Sequence, residues 1–471
     1  MIKLILAIFS SIFILVSAAL IYYWRDIQYD PSAMDLFSYF ILLPLVLSFI
    51  LLSPYLIYQA YQSYKKHKQQ QALRLQQQAT PQVVEQKQDV AAVKWLNLNL
   101  FSSFALSAFG EDDAIIDELK NFKSPELDHS LTNNYGLPVL SYRITALDEQ
   151  LDADSTIEEG RTARIKALIQ QQLEQQCEIL YSIAEHLKQS AFFYDSEIAY
   201  QYRMHPAWID ANYQSDDPDH VEQQAQQVPR LNQLNIHLLL PYNLLLLWDE
   251  HSAQAMLLDF MQTLGVVSQQ VNIQHHFIEQ ANAYSDWLAL LGEISTQTEQ
   301  VSVLINVDSE IDQDVLDEKM WQTDHYVAAE FASSWCIAAP DVKIQQAEAS
   351  KQLKIALNVQ DLSACLSHGA PDSVDAIEQE QPFVLLLDEA TEIKVIKQTN
   401  QTFAAALIES HHFLHSKPIF GDTQALAKIG GFMLGPHLST QNTAMIYSTD
   451  QASTHAFFQA NLESHSFKPV I

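Results

Sequence analysis

Glycine is scarce in this chain, ten in 471 residues, and cysteine scarcer, at three. No G-x-x-x-x-G-K loop is present to cradle a phosphate. Cys177, Cys336 and Cys365 are far apart and odd in number, with no C-x-x-C spacing. That pattern excludes a disulfide framework and a zinc ribbon, and leaves reduced, mostly buried thiols as the expectation. Basic residues are also few, 26 Lys+Arg against 57 Asp+Glu, for a formal charge of -31. Nucleic-acid binding rests on basic side chains that neutralise phosphate, so no nucleic acid is expected as a partner. An acidic body is also not expected to lie flat on an anionic leaflet. The charge reads first as a soluble surface and second as a face for a basic protein patch.

Long hydrophobic runs occur only near the start. Ile2–Trp24 and Tyr39–Tyr61 carry no charge apart from Lys3. About 20 helical residues cross a hydrocarbon core of about 30 Å, so residues 1–64 read as a transmembrane helical hairpin. A signal peptide is the rival for the first run, but Tyr22-Tyr23-Trp24-Arg25 offers no small-x-small cleavage site. Lys65, Lys66 and Lys68 follow the second run, and positive residues stay inside. The expected placement is therefore a two-pass protein of the bacterial inner membrane with a cytoplasmic body. A cleaved or misread first segment would put the body in the periplasm instead. Residues 65–93 are Gln-rich and read as a linker.

Order resumes at Lys94, and the remainder divides into two α/β halves, 94–270 and 271–471. Strands are expected at Lys94–Ser103, Leu137–Ile144, Leu234–Pro241, Val271–Phe277, Gln300–Val307 and Gln381–Asp388. Apolar spacing predicts one long helix over Glu159–Leu187, with Cys177 inside it, and further helices over Ser252–Leu264, Asn400–His411 and Gln424–Leu434. A final helix is expected at the C-terminus. Continuous apolar strands alternating with helices argue a layered α/β fold with a buried sheet.

Three segments carry a resemblance. Val303–Ser309 is a buried strand ending in Asp308-Ser309. Ala329-Glu330-Phe331-Ala332 enters a second strand. Phe420-Gly421-Asp422-Thr423 opens a small-residue helix through Gly430-Gly431. In this order they resemble ketoacyl synthases and other thiolase-like proteins, which implies a thiolase-like fold. The family's cysteine nucleophile needs a helix start, whereas Cys177 is expected mid-helix among Gln and Glu. Asp422 stands where the family's Gly-His-Thr has histidine. The resemblance therefore implies a scaffold without catalysis. A second likeness rests on the hairpin, the linker and Gly136–Ile144 (GLPVLSYRI). It is to a proteobacterial family tied to type VI secretion, and implies binding to a secretion effector, a spike protein or an envelope-complex component.

Other candidates read blandly. Ser309 has no G-x-S-x-G elbow and reads as a turn or a helix cap. His411, His412 and His415 lack an H-E-x-x-H frame, and His275-His276 stands alone. Asp388, Glu389 and Glu392 read as a solvated strand exit. No catalytic, cofactor-binding or metal-ligating residue is expected. The resulting expectation is a non-enzymatic, membrane-anchored adaptor or assembly accessory. The alternative is a membrane-associated acyl-binding protein or acyltransferase of thiolase-like fold.

Overall fold

The structure, a computed structural model, describes residues 93–153, 160–209, 227–321, 326–369, 381–404, 406, 408–423, 425–439 and 443–460, together with Tyr22 and Arg25. The chain divides into two units, Met1–Val90 and Ala91–Ile471. Ile2, Trp24, Tyr39 and Tyr61 of the expected hairpin lie outside the described residues, as do Lys65, Lys66 and Lys68. Among the described residues no helix is long and apolar enough to cross a membrane.

The second unit is built on a sheet. Its strands in chain order are β1 (Lys94–Ser107), β2 (Gly110–Glu111), β3 (Glu126–Thr132), β4 (Pro138–Tyr142), β5 (Gln233–Pro241), β6 (Val271–Ile278) and β7 (Gln300–Ser309). They continue with β8 (Ala328–Ala338), β9 (Lys351–Leu357), β10 (Val384–Leu386), β11 (Phe413–His415), β12 (Ala444–Tyr447) and β13 (His455–Ala460). Two sets of five share one topology. The first is ordered β6-β5-β7-β8-β1 and the second β11-β10-β12-β13-β9. Numbered within its set, each reads third, second, fourth, fifth, first. The fifth strand, β8 or β13, is antiparallel to both neighbours, and the other pairs are parallel. The first strands join the sets in antiparallel register, from Lys94↔Leu357 to Leu100↔Lys351. The body is thus an internal duplication. The β3–β4 hairpin attaches at the start of β8.

The helices are α1 (Asp113–Lys120), α2 (Thr145–Ala153), α3 (Arg161–Gln175), α4 (Cys177–Tyr194), α5 (Ser196–Met204), α6 (Glu250–Thr263), α7 (Ala283–Ile294), α8 (Gln313–Met320), α9 (Leu362–Gly369), α10 (Ile393–Phe403) and α11 (Ala427–Met433). Strand side chains alternate between faces, and here both faces are apolar. Leu234, Ile236, Leu238 and Leu240 of β5 pack with α3, α4 and α6, while Leu239 points to the opposite core. In the second set, Leu385 and Ile446 enter that same central core, whereas Leu386 and Tyr447 join Leu362 of α9 and Phe403 of α10. The central core holds α7 and α11 between the two sets. The layers run helices, sheet, helices, sheet, helices. At the centre Trp335 of β8 has its ring 5.7 Å from Trp287, 5.9 Å from Phe432 and 5.6 Å from Phe458.

Three expected elements differ. The long helix is two helices, α3 and α4, broken at Gln176. That side chain is buried against the sheet, where Nε2 donates to Ser334 Oγ at 2.9 Å and Oε1 accepts from Ser102 Oγ. The helix expected over Asn400–His411 instead spans Ile393–Phe403, and a 3₁₀ turn at Ser410–His412 leads into β11. Past β12, where a final helix is expected, the described residues form β13 between β12 and β9, and residues 461–471 lie outside the described ones.

Candidate functional site

The three motif segments do meet, at the ends of β7 and β8, and their polar groups are spent on one another. Arg161 Nη2 donates to Asp308 Oδ1 at 2.8 Å and its Nε to the Ser309 carbonyl at 2.6 Å. Arg164 holds Glu330 with two hydrogen bonds, 2.9 and 2.7 Å. Glu330 also accepts from Ser309 Oγ at 2.9 Å and from the Ile144 N–H at 2.6 Å. Ser309 is a turn residue rather than a helix cap: its Oγ accepts from the Ile311 N–H at 3.4 Å while donating to Glu330. The cap of α8 is Asp312, which accepts from the Asp314 and Val315 N–H groups. The third segment docks on β8: Asp422 Oδ2 accepts from the Val327 N–H at 2.7 Å. Gly421 has φ +52°, and a Cβ there would meet the Val327 carbonyl oxygen at 2.4 Å.

Glu310 belongs to this network and has a pH consequence. Burial and the neighbouring Asp308 push its carboxyl up to about 7, while Tyr326, Arg161 and Lys319 oppose them. A carboxyl raised on folding stabilises while protonated, so its contribution is present below the unfolded value and lost as pH rises through about 7. Glu310→Gln should remove that loss. Urea midpoints of wild type and variant, compared below and above neutrality, should diverge on the alkaline side; parallel profiles would refute the assignment.

The cavity lies elsewhere, at the carboxyl ends of the parallel strands, where open α/β sheets bind ligands. Its volume is about 560 Å³. Asp388 and Glu389 follow β10, Lys417 follows β11, Thr449 and Asp450 follow β12, and Gln280 and Ala281 follow β6. Lys428, in the first turn of α11, also lines it. The expectation of a solvated strand exit at Asp388 does not hold, because the residue is buried. Asp388 Oδ1 lies 2.8 Å from Lys428 Nζ, and Oδ2 accepts from the Thr449 N–H at 2.5 Å. Asp450 pairs with the same ammonium. Burial works against the Lys428 charge, but these two carboxylates outweigh it and raise its pKa. Lys417 behaves oppositely. Burial lowers its pKa against the pull of Asp422, Glu389 and Glu310, and its Nζ donates to the Gly421 carbonyl at 3.1 Å and the Thr423 carbonyl at 2.6 Å. Asn282, which caps the adjoining α7, makes no side-chain capping bond. Asp388, Glu389, Glu392 and Asp450 line the cavity beside the lysines, so what Lys428 and Lys417 offer an incoming oxygen is N–H donors rather than a net positive field.

A second cavity, about 670 Å³, adjoins along α10. Phe109, Leu119, Leu386, Val395, Ile396 and Phe413 give it apolar walls, and Val395 lines both cavities. The Thr399 hydroxyl on its wall is buried without a partner.

The remaining sequence candidates are dispersed. Cys177 is the first residue of α4 rather than mid-helix, and lines neither cavity. Burial raises the pKa of Cys336, and that of Cys365 to about 11. His411 is exposed in the 3₁₀ turn beside Glu409, His412 is buried, and His415 lies on β11 lining the apolar cavity. His276 faces His237 at 3.1 Å across β5 and β6. Lys417 and Lys428 were not among the sequence candidates. Their one signal is two lysines in an apolar, small-residue stretch of an acidic chain.

No protein-family model matches the sequence, and no curated protein does. In fold the chain is similar to ketosynthases and polyketide synthases. One is the ketosynthase from module 6 of the bacillaene synthase of Bacillus subtilis 168, at 10% identity and TM-score 0.40, covering 78% of this chain and 71% of that one. Another is the ishigamide ketosynthase/chain length factor, at 9% identity and TM-score 0.35, covering 77% and 98%. A fungal type III polyketide synthase matches at 9% identity and TM-score 0.30, covering 77% and 100%. The body is mixed α/β, and its likeness in fold runs to the family that the motif segments resemble. TM-scores below 0.5 carry nothing about substrate or mechanism. The comparisons run against the expectation of a non-enzymatic adaptor or accessory of type VI secretion: the similar structures are titled ketosynthases and polyketide synthases. The likeness to a secretion family finds no support.

Proposed function

We propose that the body is an acyl-binding protein or acyltransferase of thiolase-like fold. The observation that supports this most directly is the meeting at Val395 of a lysine-bearing polar cavity and an apolar one. An acyl group has the same two ends. Its carbonyl or carboxylate oxygen is taken up by Lys428, held charged by Asp388 and Asp450, with Lys417 beside it. Its chain lies between α10 and β11, in a volume of ordinary ligand size. No cysteine lines either cavity among the described residues, so the acyl group is bound through its oxygen and any acceptor nucleophile comes from a second substrate.

Titration of the full-length protein with fatty acids of increasing chain length tests the reading. Each added methylene is worth about 0.8 kcal/mol, or about fourfold in affinity, until the cavity is full. Val395→Trp should abolish that gain, and Lys428→Met should weaken fatty acids but not the matching alcohols. Binding that ignores both chain length and Lys428 would refute it.

A further inference from the structure

Lys417 and Lys428 line one cavity but are held in opposite ways. Lys428 has two carboxylate partners, Asp388 at 2.8 Å and Asp450, and they keep it an ammonium. Lys417 opens the 3₁₀ turn Lys417–Phe420 after β11 and is half-buried. Among the described residues no carboxylate lies at ion-pair distance from it. Its Nζ is fixed instead by two backbone carbonyls, Gly421 at 3.1 Å and Thr423 at 2.6 Å. An ammonium carries three N–H groups, so two are engaged and the third position is open. When the proton there leaves, a lone pair takes its place, and two N–H bonds remain for the two carbonyls. Burial is the largest influence on this ammonium and favours that loss. Asp422, Glu389 and Glu310 oppose it, Lys428 adds to it, and the pKa lies below the ordinary lysine value. Glu389 and Lys428, which Nζ senses, both line the cavity.

We propose that Lys417 captures the ketone carbonyl of an α-keto acid as an imine, with the carboxylate on Lys428 and the alkyl chain in the apolar cavity beyond Val395. The placement of the chain rests on the acyl reading; the amine chemistry rests on Lys417. A desolvated lysine next to another cation is activated as a nucleophile toward carbonyls. The Nζ lone pair forms the C–N bond. The carbonyl oxygen leaves as water with both amine protons, and water returns the C=N imine to ketone and amine. Attack by the same amine on an acyl carbonyl would end in a stable amide. A keto group is therefore the partner from which the lysine is regenerated.

The full-length protein is incubated with α-ketooctanoate at mildly alkaline pH, reduced with sodium borohydride, digested and read by mass spectrometry. Lys417 should gain the mass of the probe less one oxygen, at probe concentrations that leave the other lysines unmodified. Octanoate, which has no keto group, should form no adduct and should compete with the labelling. Lys417→Arg, which keeps donors for both carbonyls, should lose the adduct. Should that variant not fold, protection of Lys417 by octanoate in the wild type is the readout. Lys428→Met should raise the probe concentration needed by about tenfold and leave the adduct on Lys417. No adduct on Lys417, labelling undiminished in Lys417→Arg, or labelling spread evenly over the lysines overturns the proposal. Pyruvate, which has no chain, separates the two readings. Pyruvate labelling of Lys417 as ready as that by α-ketooctanoate keeps the imine and rejects the acyl cavity. Fatty-acid binding that grows with chain length, with no adduct, keeps the acyl cavity and rejects the imine.

Discussion

Arg164→Ala should destabilise the body by about 3–5 kcal/mol, the usual result of removing one partner from a buried ion pair. The reason is what stays behind. Glu330 is fully buried and accepts four hydrogen bonds, two of them from this guanidinium. Without Arg164 its charge would lie on a central strand facing no cation, because Arg161 is committed to Asp308 and the Ser309 carbonyl. Asp148, which Arg164 also contacts, would keep Arg143 at 3.1 Å. Replacing both partners, Arg164→Met with Glu330→Leu, should recover much of the loss, since well-packed apolar pairs often equal buried ions. Urea unfolding of the full-length protein and its variants measures both. A loss below about 1 kcal/mol for Arg164→Ala, the range of a surface pair, would show that water reaches Glu330.

Trp335→Ala should cost a similar amount, about 3–5 kcal/mol, by a different route. Trp335 is fully buried in β8 of the first strand set, yet its ring neighbours include Phe458 of β13 in the second set and Phe432 of α11 between the two. Its indole N–H donates to the Met433 carbonyl at 3.1 Å. Truncation removes an aromatic side chain, leaves a carbonyl unpaired and opens a void where α7 and α11 meet. The expected signature is a drop in urea midpoint with easier opening of the second set, read as faster amide hydrogen exchange along β13. A small loss with unchanged exchange would mean that the two sets do not depend on this contact. Trp335→Phe, which keeps most of the ring packing, should lie between wild type and alanine.

The motif segments show how far local pattern reaches. Asp308-Ser309, Glu330 and Gly421-Asp422 were legible as a set because each ends or begins an apolar strand or helix in recognisable order. That they form a structural network was not legible, since it depends on Arg161 and Arg164, which α3 delivers from more than a hundred residues away in sequence. The cavities were missed for the same reason. Lys417 and Lys428 gain their role from Asp388, Asp450 and the carbonyls after β11, and nothing adjacent to them in sequence marks it. Local pattern also misled at Gln176, where apolar spacing runs on through a break made by hydrogen bonds to the sheet.

By itself the amino-acid order determined the class of the body. Apolar runs of strand length alternating with helical spacing permit little besides a buried sheet between helices, because both strand faces must leave water. The acidic excess likewise sets the expectation against nucleic acid as a partner. What only the tertiary structure decided is the duplication, with its third-second-fourth-fifth-first order in each set, and the place where the strand ends converge. Strand order and cavity lining are set by contacts between residues far apart in the chain, and such contacts leave no periodic trace in the sequence around either partner.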